Sequence, residues 1–141
     1  MRVLFFIVAI ALLMLSATCS AASLEVNVSG LKNDSGHVHV ALFNKSEGFP
    51  YHEAIFMEDK TRISDGAAKI KFDDLLAGAY GIAVYHDENE NDEFDQGLFG
   101  IPLEDYGFSN NAPVFFGPPS FDEAKFEVKE PSASISIDIS K

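Results

Sequence analysis

The chain has 141 residues, with 22 Asp and Glu against 10 Lys and Arg, one cysteine and a formal charge of −12. Such a surface repels phosphate backbones and anionic headgroups, so it argues against nucleic-acid binding and against electrostatic attachment to membranes, and it favours cations. The length makes one domain of ordinary size, able to bury a two-layer core without staples.

Arg2 opens into VLFFIVAIALLML, an apolar run of signal-peptide length that is too short to span a bilayer comfortably. SATCSAAS follows, and cleavage after Ala22 with Ser20 at the minus-three position fits the small-x-small rule. Residues 1–22 are therefore expected to be a signal peptide and residues 23–141 the folded domain, with no membrane span. Cys19 raises the alternative of a lipid anchor, but Ser16 and Thr18 stand where a lipoprotein signal wants Leu and a smaller residue. After cleavage the chain keeps no cysteine and carries nine Lys and Arg against 22 acids, a formal charge of −13. Disulfides and thiol chemistry are then out of reach.

Period-two alternation dominates the mature chain. LEVNVSGL puts Leu24, Val26 and Val28 on one strand face, and HVHVALF puts Val38, Val40 and Leu42 on another. KNDSG between them predicts a hairpin turn, with His37 and His39 outward and solvated. NKSEGFPYHEAIF breaks the pattern and predicts a loop or a single helical turn. DGAAKIKFDDL predicts a strand with Ile70 and Phe72 inward. Gly78 marks a turn into a strand with Tyr80, Ile82 and Val84 on one face, which delivers the chain into YHDENENDEFDQG.

Residues 87–113 read as one long acidic connection, and a loop of that length needs a job or internal order. Beyond it PVFF, AKFEVKE and ASISIDIS read as strands, the last with Ile135, Ile137 and Ile139 on one side. About seven short strands without a sustained helical period predict a single all-β, antiparallel β-sandwich.

Six carboxylates fall between Asp87 and Asp95 with no Lys or Arg among them. Asp87, Asn89, Asn91 and Asp95 stand at positions 1, 3, 5 and 9 of a calcium-type loop, and Glu93 at position 7 offers its backbone carbonyl. Asp92 replaces the Gly expected at position 6 and Leu98 the Glu expected at position 12, which rules out a complete EF-hand. A shorter loop remains, with its missing ligand assigned to Glu104 because the chain turns at Gly100 and Pro102. Calcium is the expected ion, in the weak extracellular regime of roughly 10⁻⁴ to 10⁻³ M. The plainer reading is an Asp/Asn-rich turn that is simply solvated.

The segment from His86 through Asp87, Asn89, Asn91 and Asp95 to Gly100, Pro102, Glu104 and the run Gly107-Phe108-Ser109-Asn110-Asn111 resembles the hallmark of a bacterial secreted family catalogued as domain of unknown function 2141. The family often has Gly where Asp92 stands. The resemblance implies an exported immunoglobulin-like or transthyretin-like sandwich and assigns no reaction. Within GFSNN, Gly107 is expected to take a positive φ, Phe108 to plug the end of the core, and Asn110 and Asn111 to bond the loop's own backbone. A recognition surface of Tyr106, Phe108 and the Asn pair is the functional alternative.

No H-E-x-x-H, G-x-S-x-G or phosphate-cradling glycine loop is present. An enzyme would have to use His37, His39, His52 and His86, of which only His37 and His39 are closely spaced, half of a zinc site at most. The transthyretin-like hydrolases rely on His and Arg residues and a C-terminal Tyr-Arg-Gly-Ser, whereas this chain ends DISK and keeps only Arg62 after cleavage. The expected function is that of an exported, non-catalytic module, periplasmic or extracellular, with calcium at its loop and a protein or glycan partner at the cell envelope. A purely structural accessory domain without metal is the alternative, and a metal-dependent hydrolase built on the strand histidines a second one.

Overall fold

The computed structural model describes residues 20–140, so Cys19 and nearly all of the expected signal peptide lie outside the described residues. Among the described residues, eight strands form two sheets: β1 (Ala22–Ser29), β2 (His37–Phe43), β3 (Met57–Arg62), β4 (Ala68–Leu75), β5 (Gly78–Asp87), β6 (Tyr106–Phe108), β7 (Phe126–Val128) and β8 (Ser132–Asp138). The smaller sheet has the order β4-β1-β8, and the larger runs β3-β2-β5-β6, with β7 also pairing β5. Every strand pair is antiparallel except β1 with β8, which is parallel.

Alternation explains the packing. Leu24, Val26 and Val28 of β1, Val38, Val40 and Leu42 of β2, Ile70 and Phe72 of β4, and Ile82 and Val84 of β5 all point between the sheets and are buried there. A second, smaller core lies on the other face of the larger sheet, where Phe43, Phe49, Phe108, Ala112 and Ala124 pack together. The loop before β3 and the segment after β6 supply it, including a one-turn helix α1 (Phe121–Ala124) whose Ser120 and Glu123 form a reciprocal capping box.

Three expectations are corrected. β1 and β2 do not form a hairpin; they are central strands of different sheets. The Gly30–Gly36 connection is too long for a tight turn and crosses the sandwich, buried at Leu31 and tied to the β3–β4 turn by the Asp34 carboxylate, which accepts from the Asp65 and Gly66 N–H groups. PVFF is not a strand: Phe115 and Phe116 are 82% and 110% exposed. β3, reading MEDKTR, has no apolar face to betray it, because it is an edge strand whose charges discourage pairing with another chain. The loop from 87 to 113 also holds β6 and short 3-10 turns.

GFSNN acts structurally, by means other than those expected. Gly107 does not adopt a positive φ; it is needed for space, since a Cβ there would lie 2.7 Å from Ile139 Cγ2. Asn110 and Asn111 take the positive φ values, 60° and 47°. They bond the backbone of neighbouring segments rather than their own: Asn110 Nδ2 donates to the Glu123 and Lys125 carbonyls, and Asn111 Oδ1 accepts from the Asp138 N–H. Phe108 plugs the second core, not the end of the main one.

Ser109 is fully buried; its Oγ accepts from the Ile82 N–H at 2.9 Å and donates to the Ala124 carbonyl at 2.5 Å. Ser109→Ala leaves both backbone groups without that partner and is expected to cost about 1–3 kcal/mol. Urea unfolding checks this as a lower midpoint at unchanged slope.

Candidate metal centre

β5 and β2 together position the acidic loop. Their antiparallel register sets His37 opposite Asp87 and His39 opposite Tyr85. The His39 and Tyr85 rings stack with centroids 4.6 Å apart. His86, on the inward face, is fully buried, with its Nε2 2.7 Å from the Ser35 carbonyl. A carbonyl only accepts, so Nε2 carries the proton and the ring fastens the β1–β2 connection to the end of β5. The His86 N–H donates to the Asp105 carbonyl at 2.8 Å.

Asp87 is also fully buried, and it organises the curl that comes after it. Its Oδ1 accepts from the Asn91 N–H at 3.2 Å and its Oδ2 from the Asp92 N–H at 2.9 Å. Asn89 Oδ1 accepts from the Asn91 N–H at 3.1 Å, and Asn91 Oδ1 from the Glu93 N–H at 2.9 Å. Each polar side chain thus folds the backbone two to five residues ahead of it. Glu90 and Asp92 both stand at φ 60°. Asp92 therefore makes the left-handed step for which Gly is better suited, and the curl forms without the glycine.

Asp95 collects the far end. Asn89 Nδ2 donates to its Oδ2 at 2.6 Å and Asn91 Nδ2 to its Oδ1 at 3.0 Å. A short ladder returns the chain, with the Gly97 N–H on the Ile101 carbonyl and the Leu103 N–H on the Asp95 carbonyl, and brings up Glu104, whose Oε2 accepts from the Asp95 N–H at 3.1 Å. Five predicted residues, Asp87, Asn89, Asn91, Asp95 and Glu104, are thereby joined in one hydrogen-bonded network. Glu93 enters through its N–H, and its side chain is exposed.

Glu104 is 9% exposed, and its Oε1 has no hydrogen-bond partner. Burial first, and then the charges of Asp95 and Asp87, hold its pKa above the ordinary 4.5, while N–H groups of Asp95 and Glu88 pull the other way. The Tyr85 phenol is pushed up by burial and then by Asp87, Glu104, Asp92 and Glu58, which marks the region as strongly negative. Cations stand only around the edge: Lys60 bonds Asp92 and lowers its pKa, Arg62 lies 3.6 Å from Glu90, and Lys32 2.9 Å from Asp105. Among the described residues, no Lys or Arg pairs with Asp87, Asp95 or Glu104.

Sequence reasoning missed a second arrangement. His39 and His37 are not solvated; their side chains are 17% and 18% exposed and face the loop. His39 Nε2 lies 3.3 Å from both Asp87 Oδ2 and Asp92 Oδ1, and these three groups all fall within 4.8 Å of one another. The carboxylates of Asp87, Asp95 and Glu104 are instead linked through asparagine amides and backbone N–H groups. The β2–β5 pairing, had it been foreseen, would have placed the alternating histidines beside Asp87.

No helix of the described residues is long and apolar enough to cross a membrane. Comparison with curated proteins and with solved structures finds no match for the chain. Residues 26–136, from β1 to β8 and with the whole acidic loop between, match the model of the bacterial family described as "Uncharacterized protein conserved in bacteria (DUF2141)", and the chain belongs to that family.

Proposed function

We propose that the protein is an exported, non-catalytic β-sandwich whose acidic loop is ordered by a divalent cation, calcium before others, and that it engages a protein or glycan partner at the cell envelope. The ion would be held by Asp87, Asn89, Asn91, Asp95 and Glu104 with the Glu93 carbonyl, replacing the amide N–H groups that bridge Asn89 and Asn91 to Asp95. One observation carries this reading: a buried Glu104 carboxylate, with one oxygen unpartnered, sits beside two further carboxylates and no Lys or Arg. Such a concentration of like charge is disfavoured without a counter-ion. Export rests on the apolar leader and its small-residue cleavage site.

The alternative of a solvated loop without metal draws on the same asparagine amides, which already satisfy both oxygens of Asp95. Calorimetric titration with calcium separates the two. The native protein is expected to bind in the range of about 10⁻⁴ to 10⁻³ M and to melt at higher temperature with the ion. Absence of heat at millimolar calcium together with an unchanged melting temperature would eliminate the cation. Asp92→Gly is expected to keep calcium affinity, because position 6 supplies the curl and not a ligand; loss of affinity there would move the ion to the His39, Asp87 and Asp92 arrangement.

Glu104→Gln is expected to lower calcium affinity by about 10- to 100-fold. Without calcium its effect has the opposite sign. A carboxyl whose folded pKa is raised binds its proton more tightly in the folded than in the unfolded state, so native stability declines as pH rises from 4.5 through the raised value. The amide removes that decline. At neutral pH in chelator the variant should therefore melt above the native protein, and a lower melting temperature would contradict the charge argument.

A further inference from the structure

The second core covers part of the outward face of the larger sheet. Beside the second core, a groove of about 1160 Å³ opens between the acidic loop and the segment around Phe115. Its floor is set by two small residues directly opposite each other, Ala41 of β2 and Ala83 of β5. One wall is a series of rings: Tyr85 to Phe94 at 5.4 Å between centroids, then Phe94 to Tyr106 at 5.6 Å. Phe115 and Phe116, which also line the groove, stand largely in solvent, and Phe99 on the loop is 98% exposed. Large apolar side chains gathered around one concavity mark a surface with a ligand.

Charge narrows the ligand. The carboxylates of Glu58, Asp92 and Glu93 line the same groove, and among the described residues the single Lys there, Lys60, is already bonded to Asp92 and no Arg lines it. The groove is thus negative on a protein whose whole field is negative, which repels phosphate, sulfate and carboxylate ligands and draws cations in. Aromatic faces attract the same sign, because the negative face of a ring stabilises a nearby ammonium, most of all one too alkylated to compete for water. A neutral apolar ligand would leave the carboxylates without a role.

We propose that this groove binds a hydrophobic organic cation, a quaternary or heavily alkylated ammonium whose charged head rests against the Tyr85, Phe94 and Tyr106 rings and the flanking carboxylates. Its apolar portion lies over Ala41 and Ala83 toward Phe115 and Phe116. The site is separate from the cation loop, although Asp92 and Glu93 border both.

The test is calorimetric titration of the protein with three probes sharing one decyl tail, each below its micelle-forming concentration: decyltrimethylammonium, decyl sulfate and decyl glucoside. The ammonium is expected to bind at least about tenfold more tightly than either of the others. Two double variants then locate it. Phe115→Ser with Phe116→Ser removes exposed rings without touching either core, and should weaken the ammonium about tenfold. Glu58→Gln with Glu93→Gln should weaken the ammonium severalfold and leave the glucoside unchanged. Equal affinity for ammonium and sulfate, a preference for the glucoside, or no binding at all would overturn the proposal. So would ammonium binding that survives both double variants unaltered, since that is general attraction to an acidic surface.

Discussion

Gly36→Ala is expected to destabilise the protein by about 2–5 kcal/mol, from a backbone held at positive φ and from overlap with neighbouring atoms. Gly36 stands at φ 69°, and a Cβ there would lie 1.8 Å from the Asp87 carbonyl oxygen and 2.9 Å from the Glu88 Cα. Both neighbours are backbone, so no side-chain rotation relieves the contact. Either the β1–β2 connection lifts away, taking with it the Ser35 carbonyl that holds His86, or the first residues of the acidic loop move outward. Against a total stability of about 5–15 kcal/mol, the loss is a large share. Chemical denaturation measures it. The same variant should also lose calcium response, and a variant as stable as the native protein would mean that this close approach does not shape the loop.

Asp87→Ala is expected to cost about 3–5 kcal/mol, whether or not calcium is present, because a buried, charged acceptor is removed from two backbone N–H groups. The Asn91 and Asp92 N–H groups lose their acceptor on the Asp87 carboxylate, and only the Asn91 N–H keeps another, Asn89 Oδ1. Asp95→Ala differs. Its carboxylate is only half-buried and its partners are side-chain amides that can turn to water, so in chelator the change is expected to be small. In calcium both variants should fail to gain stability. A thermal melt of each, in chelator and in calcium, gives four numbers, and a near-neutral Asp87→Ala in chelator would show that the curl does not depend on this side chain.

Much of the fold was legible because buried strands in a two-sheet protein must alternate. β1, β2, β4, β5 and β8 could be read from period two alone, down to which residues face inward. What alternation does not carry is partnership. KNDSG has turn composition, but composition does not distinguish a hairpin from a crossing between sheets, and the buried Leu31 is what commits it to the crossing. PVFF has the residues of a strand without neighbours to pair with, and β3 has neighbours without the residues. In the loop, the spacing from Asp87 to Asp95 and the return to Glu104 were readable because those positions interact locally. The part played by His39 was not, since it arises from a strand register set far away in sequence. Gly107 reads as a residue needed for its φ and serves volume instead, a distinction visible only once Ile139 is in place.

The parallel pairing of β1 with β8 has a consequence for assembly. Val26 sits opposite Ile70 on one side and Ile135 on the other, so the central strand of the smaller sheet has no complete neighbourhood until β8 has emerged. Contacts between such distant segments form late and slowly during folding. A chain emerging amino end first would therefore leave the smaller sheet open until its last strand has appeared.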